Sequence, residues 1–147
     1  MLTREIRPSS PEEAALLGLR ASEPVTVVRR LRCADGEPIA LETAVLIGAV
    51  ASIVLVADIE HGSLHEALAR GGWHLRRGTA TIGAAAASAE DARLLSLRRG
   101  DPLLVERRVI ADGRGRRVEA TESRYSAERY ALDVQFDVEP GADQPPP

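Results

Sequence analysis

Leucine recurs at helical spacing twice along this chain, each time inside the same polar frame. Residues 12–30 read EEAALLGLRASEPVTVVRR and residues 90–108 read EDARLLSLRRGDPLLVERR. The offset of 78 residues pairs Leu16 with Leu94, Leu17 with Leu95, Pro24 with Pro102 and Arg30 with Arg108. A one-residue slip then aligns Asp35-Gly36 with Asp112-Gly113, and Glu42 with Glu119. Two copies are too few for a solenoid, so this is one supersecondary unit used twice. Ser10-Pro11-Glu12-Glu13 and Ser88-Ala89-Glu90-Asp91 place a capping hydroxyl and first-turn acids at two helix starts. Glu23-Pro24 and Asp101-Pro102 end those helices and open strands over residues 25–33 and 103–111. Asp-Gly then marks a hairpin turn in each copy, with returning strands from about Pro38 and Arg116.

Between the copies, Ser63-Leu64-His65-Glu66 reads as a capping box. The helix it starts runs to about Arg70 and stops at Gly71-Gly72. Residues 73–84 alternate well enough for a strand, and residues 130–136 read as a final one. Residues 43–57 carry no charge, but a spanning helix needs roughly 20 apolar residues. This run reads as a buried strand followed by a buried helix or loop. Strands outnumber helices and join mainly by hairpins. The predicted class is α+β, a largely antiparallel sheet with flanking helices, built from two helix–hairpin units.

Composition narrows the function classes. The chain has 147 residues, 44% hydrophobic and 28% charged, which suits one domain with a real core. The net charge of −3 provides no bulk attraction to nucleic acid. Every basic residue is arginine. Trp73, Tyr125, Tyr130 and Phe136 are too few and too scattered to stack successive bases. Cys33 is alone, which excludes a disulfide framework and a cysteine metal site, and a reducing cytoplasm is the expected compartment. The N-terminus lacks the apolar stretch of a signal peptide. The Pro-rich tail, residues 138–147, is expected to be disordered behind a domain of residues 1–137.

Few residues offer chemistry. Arg30 and Arg32 are two apart on a strand and share a face. Two guanidinium groups there can grip a phosphate or carboxylate bidentately; a solvated face with paired charges has the same spacing. Ser63 caps its helix, and the free N–H groups beside it can hold an anion as well. Glu42 and Glu119 occupy equivalent places in the repeat. They can face one cavity and accept from ligand hydroxyls or amines, or simply pair with arginine on the surface. His61, His65 and His74 make no metal set: His65-Glu66 opens like H-E-x-x-H, but Ala69 stands at the second histidine position. These histidines read as surface residues. No G-x-S-x-G surrounds Ser123 or Ser126, and there is no P-loop. No metal or cofactor is expected.

The stretches EPVTVVRRLRCADGEPIALE, GSLHEAL and DPLLVERRVIADGRGRRVEATESRYSAERY, in that order, resemble the UTRA domain. This is the effector-binding half of GntR/HutC-type bacterial transcription regulators. The resemblance covers residues 12–136 and implies a chorismate-lyase-like fold, a homodimer, and binding of a small anionic metabolite that alters DNA affinity. In relatives that sense phosphorylated amino sugars, positions matching Arg30, Arg32 and Ser63 hold the phosphate. Those matching Glu42, Glu119 and Tyr125 hold the sugar. Where such proteins continue Tyr-Arg-Gly-Asp-Arg-Tyr, this chain has Tyr125-Ser126-Ala127-Glu128-Arg129-Tyr130. The winged helix-turn-helix that would precede this domain is not within these residues, so the chain alone is expected to bind no DNA specifically. A sensor that is not an enzyme is the preferred reading. The alternatives are a chorismate-lyase-like enzyme, or a dimerisation module whose pocket is filled by residues 46–56. The sensor reading requires Arg30, Arg32, Glu42 and Glu119 to meet at one cavity, with positive charge at one end and carboxylates at the other.

Overall fold

The computed structural model describes residues 1–136; the tail read as disordered, and residue 137 before it, lie outside that range. Six antiparallel strands form one sheet in the order β1-β2-β3-β6-β5-β4. The strands are β1 (Thr3–Pro8), β2 (Pro24–Ala34), β3 (Glu37–Ile47), β4 (Leu75–Ala86), β5 (Pro102–Asp112) and β6 (Arg117–Ser126). Four short helices accompany them: α1 (Pro11–Leu17), α2 (Ala51–Val56), α3 (Leu64–Arg70) and α4 (Ala89–Leu95).

The duplication is larger than the sequence similarity. β1-α1-β2-β3 and β4-α4-β5-β6 are equivalent, and β3 pairs with β6 at the centre of the sheet. Both repeat helices begin with a complete capping box, Ser10 with Glu13 and Ser88 with Asp91. Both end in a left-handed residue, Gly18 in the first and Ser96 in the second.

Hydrophobic burial joins these units. Val28, Leu46, Val50, Val54, Ile59 and Leu68 belong to the main core, on the side of α2 and α3. Leu41, Leu95, Leu103 and Val105 form a second cluster, under α4. Each fully buried leucine contributes about 1.5–3 kcal/mol against exposure. Side chains alternate along a strand, so α4 covers the face of β3 that carries Leu41. The opposite face, carrying Glu42, turns toward α3 and the segment that follows α2.

One expectation needs correction, and two features go beyond the sequence reading. Residues 130–136 form no strand; the chain turns after Ser126, and Tyr130 stacks on Tyr125 instead. Arg129 donates to the Pro38 and Leu95 carbonyls and holds this segment beside β3 and α4, away from the outer edges at β1 and β4. β1 escapes sequence reading because it is a mostly exposed edge strand, TREIRP, with no apolar alternation to detect. Lastly, the two hairpins differ. Asp35 and Gly36 both have positive φ, as a two-residue turn requires. In the second hairpin Gly115 takes the left-handed position, and the Asp112 carboxylate accepts from the N–H groups of Arg114 and Arg116.

Candidate functional site

Arg30 and Glu42 are direct cross-strand partners on β2 and β3, which places them on one face. Arg30 donates through Nε (3.0 Å) and Nη2 to Glu42 Oε1, and through Nη1 to the Ile59 carbonyl at 3.1 Å. That last bond ties the strand to the segment leading into α3. Arg32 stands two residues on, across from small Ala40, and reaches the other Glu42 oxygen only at 3.7 Å. The Glu42 side chain is 4% exposed, that of Arg30 19% and that of Arg32 50%. Glu42 is thus a buried floor group, Arg30 its structural partner, and Arg32 a rim cation with donors to spare.

Glu119 sits four residues along β6 from Ser123, the residue that pairs with Glu42. At about 3.4 Å per residue this puts the two carboxylates at opposite ends of the face, roughly 14 Å of strand apart. The Glu119 side chain is 2% exposed and accepts from Thr121 Oγ1 and, at 2.9 Å, from His65 Nε2. Burial pushes the Glu119 carboxyl up, but the hydrogen bonds from His65 and Thr121 and the nearby Arg108 outweigh it and hold it below the ordinary range. The bond to Glu119 in turn raises the His65 imidazole above its usual value, against the opposing effect of burial. His65, read from sequence as a surface residue, is partly exposed and also belongs to the site; His61 is exposed on the lining of the same cavity, and His74 is exposed outside it.

Ser63 caps α3, its hydroxyl accepting from the Glu66 N–H at 3.3 Å. Only that half of the expected capping box forms; the Glu66 carboxylate lies 3.8 Å from Arg70 instead. Arg30, Arg32, Glu42, Ser63 and Glu119 all line one cavity of about 470 Å³, together with His65 and Arg108. This volume falls in the usual range for small-molecule sites. The expected division into a positive end and a carboxylate end is not what forms. Each end has a buried carboxylate with basic groups above it, because an unpaired buried charge would cost several kcal/mol.

Tyr125 is not in the cavity wall. It lies in the same row of the sheet as Arg32, two strands over. Its ring is buried and stacks on Tyr130 with centroids 3.9 Å apart, and burial raises its phenol above the ordinary value. Sequence reasoning missed Arg108 and His65. The identity of Arg30 with Arg108 across the repeat was a usable signal for the first; the second was weighed only as a metal ligand, because its partner is 54 residues away.

Among the described residues, no group of three or more His, Cys, Asp or Glu could hold a metal ion. Nor is any helix there long and apolar enough to cross a membrane.

Comparison with known proteins agrees with this architecture. The UTRA domain family matches residues 1–131. A protein from Streptomyces coelicolor, described as a transcriptional regulator, is 31% identical with a TM-score of 0.88, over 95% of this chain and 92% of its own. A GntR-family transcriptional regulator from Enterococcus faecalis V583 superposes with a TM-score of 0.83 at 24% identity, over 92% of this chain and 97% of its own. The effector domain of PhnF from Mycobacterium smegmatis does so at 0.87 and 23%, over 93% and 85%. The sheet is thus the one shared by chorismate-lyase-like effector domains, and the chain belongs to the UTRA domain family, the effector domains of GntR-family transcription regulators.

Proposed function

We propose that this domain is the ligand sensor of a HutC-type regulator, and that its cavity takes an anionic metabolite such as a sugar phosphate. One observation carries the reading. Arg30 and Arg32 on β2 and Ser63 at the start of α3 converge on one cavity in which Glu42 and Glu119 are buried and already paired with basic groups. An incoming molecule therefore meets basic groups first. Arg32 is the principal anion contact, since Arg30 is committed to Glu42 and Ile59. Glu42 and Glu119 accept from hydroxyls of the ligand, each giving up one bond to a basic neighbour. Tyr125 joins them only if Tyr130 moves off its ring.

Occupancy is read out through a homodimer and a winged helix-turn-helix that is not among these residues; this chain alone binds no DNA specifically. A decayed, ligand-free module fits less well. The segment that would fill its pocket instead supplies Leu46, Val50 and Val54 to the main core. The test is a thermal-shift panel of sugar phosphates and organic acids. A ligand at a hundred times its Kd adds about 2.7 kcal/mol, which moves Tm by roughly 5–10 °C in a domain of this size. Arg32→Ala abolishes that shift. A shift that survives the substitution places the anion elsewhere.

A further inference from the structure

The duplication makes Arg30 with Glu42 the counterpart of Arg108 with Glu119, but only the first pair closes on itself. In the second copy His65, from outside the repeat, has taken the arginine's place on the carboxylate. Arg108 is left with a buried Nε that has no partner and a Nη1 that reaches Glu106 only at 3.8 Å. The same cavity therefore holds an under-used guanidinium beside an imidazole whose other edge is open to solvent. The His65 side chain is 46% exposed.

The geometry points to a second, proton-dependent cationic pole in this cavity, formed by Arg108 and His65, so that the site holds its anion more tightly once the imidazole becomes imidazolium. This rests on the reading of the cavity as an anion site, and adds its regulation and a second contact, Arg108.

The charges around His65 act in both directions, and the hydrogen bond to Glu119 is the largest of them. Glu119 on β6 and Glu42 on β3 favour its protonated form, and Arg108 on β5 opposes it. His65 shares one pocket with Arg76 and Arg77 on β4, and the main cavity with Arg30 and Arg32 on β2 and with His61 in the segment before α3. On its own helix Glu66 is engaged toward Arg70, and in the preceding segment Glu60 pairs with the N-terminal amine. Glu119 stays ionised through neutral pH, so protonating His65 adds one net positive charge to the lining. The sign follows. Bound anion favours imidazolium, so affinity rises as pH falls through the His65 titration and is lost as pH rises above it.

Sulfate is the probe, because it keeps its charge where His65 titrates. NMR titration of the whole chain follows the Ser63–His65 amides and the His65 ring protons. Between about pH 8.5 and 5.5, which brackets histidine titration, affinity for sulfate rises on the order of tenfold, the effect expected of one added charge a few ångströms from a dianion in a wet cavity. His65→Gln flattens that slope, and Arg108→Gln weakens sulfate at both ends of the range. His74→Gln, which removes an exposed histidine outside the cavity lining, keeps the slope. By reciprocity, saturating sulfate moves the His65 titration midpoint upward. Sulfate binding that is flat with pH, or a slope that persists in His65→Gln, overturns the proton-dependent pole and leaves the anion site standing. Sulfate that moves none of these resonances at any pH overturns both.

Discussion

Arg30 and Arg32 look interchangeable in sequence, but the structure makes their removal unequal in its effect on stability. Arg30→Ala strips a buried carboxylate of two hydrogen bonds and cuts the link to the Ile59 carbonyl. Breaking a buried pair from one side costs about 3–5 kcal/mol. Because Arg30 keeps some contact with water and Arg32 remains 3.7 Å from Glu42, the cost falls just below that range, about 2–3 kcal/mol. In a domain of this length that lowers Tm by roughly 5–10 °C. Arg32→Ala leaves Glu42 bonded to Arg30 and removes a half-exposed side chain, a change within about 1 kcal/mol. Differential scanning calorimetry of the two variants without ligand separates these outcomes. Arg30→Leu combined with Glu42→Leu recovers most of the Arg30→Ala loss, because no buried charge is then left alone. Equal Tm losses for Arg30→Ala and Arg32→Ala, or no recovery in the double variant, would refute the division into structural and ligand-facing arginines.

Two further outcomes follow from the repeat and from charge pairing. Ser96 holds the left-handed position that Gly18 fills in the first copy. Ser96→Gly therefore stabilises the domain by about 0.5–1 kcal/mol, visible as a higher urea midpoint, whereas an unchanged or lower midpoint would contradict the strain. The Glu13 carboxyl is held down to about 2, mainly by its hydrogen bonds from Arg7 and against the effect of burial. Its stabilisation is full above about pH 4.5 and lost as pH falls toward 2. For this partly solvated pair it amounts to about 1 kcal/mol after screening. Melting curves of the native chain and Glu13→Gln should differ at pH 6 and converge by about pH 2; a constant gap would rule out the linkage.

The repeated helix–hairpin units were legible in the chain because their signals are local. Ser10 and Ser88 cap helices through bonds to residues three positions on, Pro24 and Pro102 open strands, and Asp35-Gly36 sets a two-residue turn. The pairing of Arg30 with Glu42 was half visible, since a hairpin with a known turn fixes its own register. What lacks a local cause could not be read. β1 and the outer position of β4 depend on which sheet edges stay open, a property of the assembled sheet. The absence of a strand at 130–136 likewise depends on distant partners, the Pro38 and Leu95 carbonyls that hold Arg129.

The site divides along the same line. Its residue types were set by sequence, and the resemblance to UTRA domains already singled out Arg30, Arg32, Glu42, Ser63 and Glu119. Whether they meet was decided only when β3 paired with β6 and α3 crossed over that face. That step brought His65 onto Glu119, left Arg108 under-used, and turned Tyr125 onto Tyr130. Side-chain partners many residues apart are chosen by burial of the whole sheet, because a buried carboxylate must take whichever donor the packed elements bring within reach.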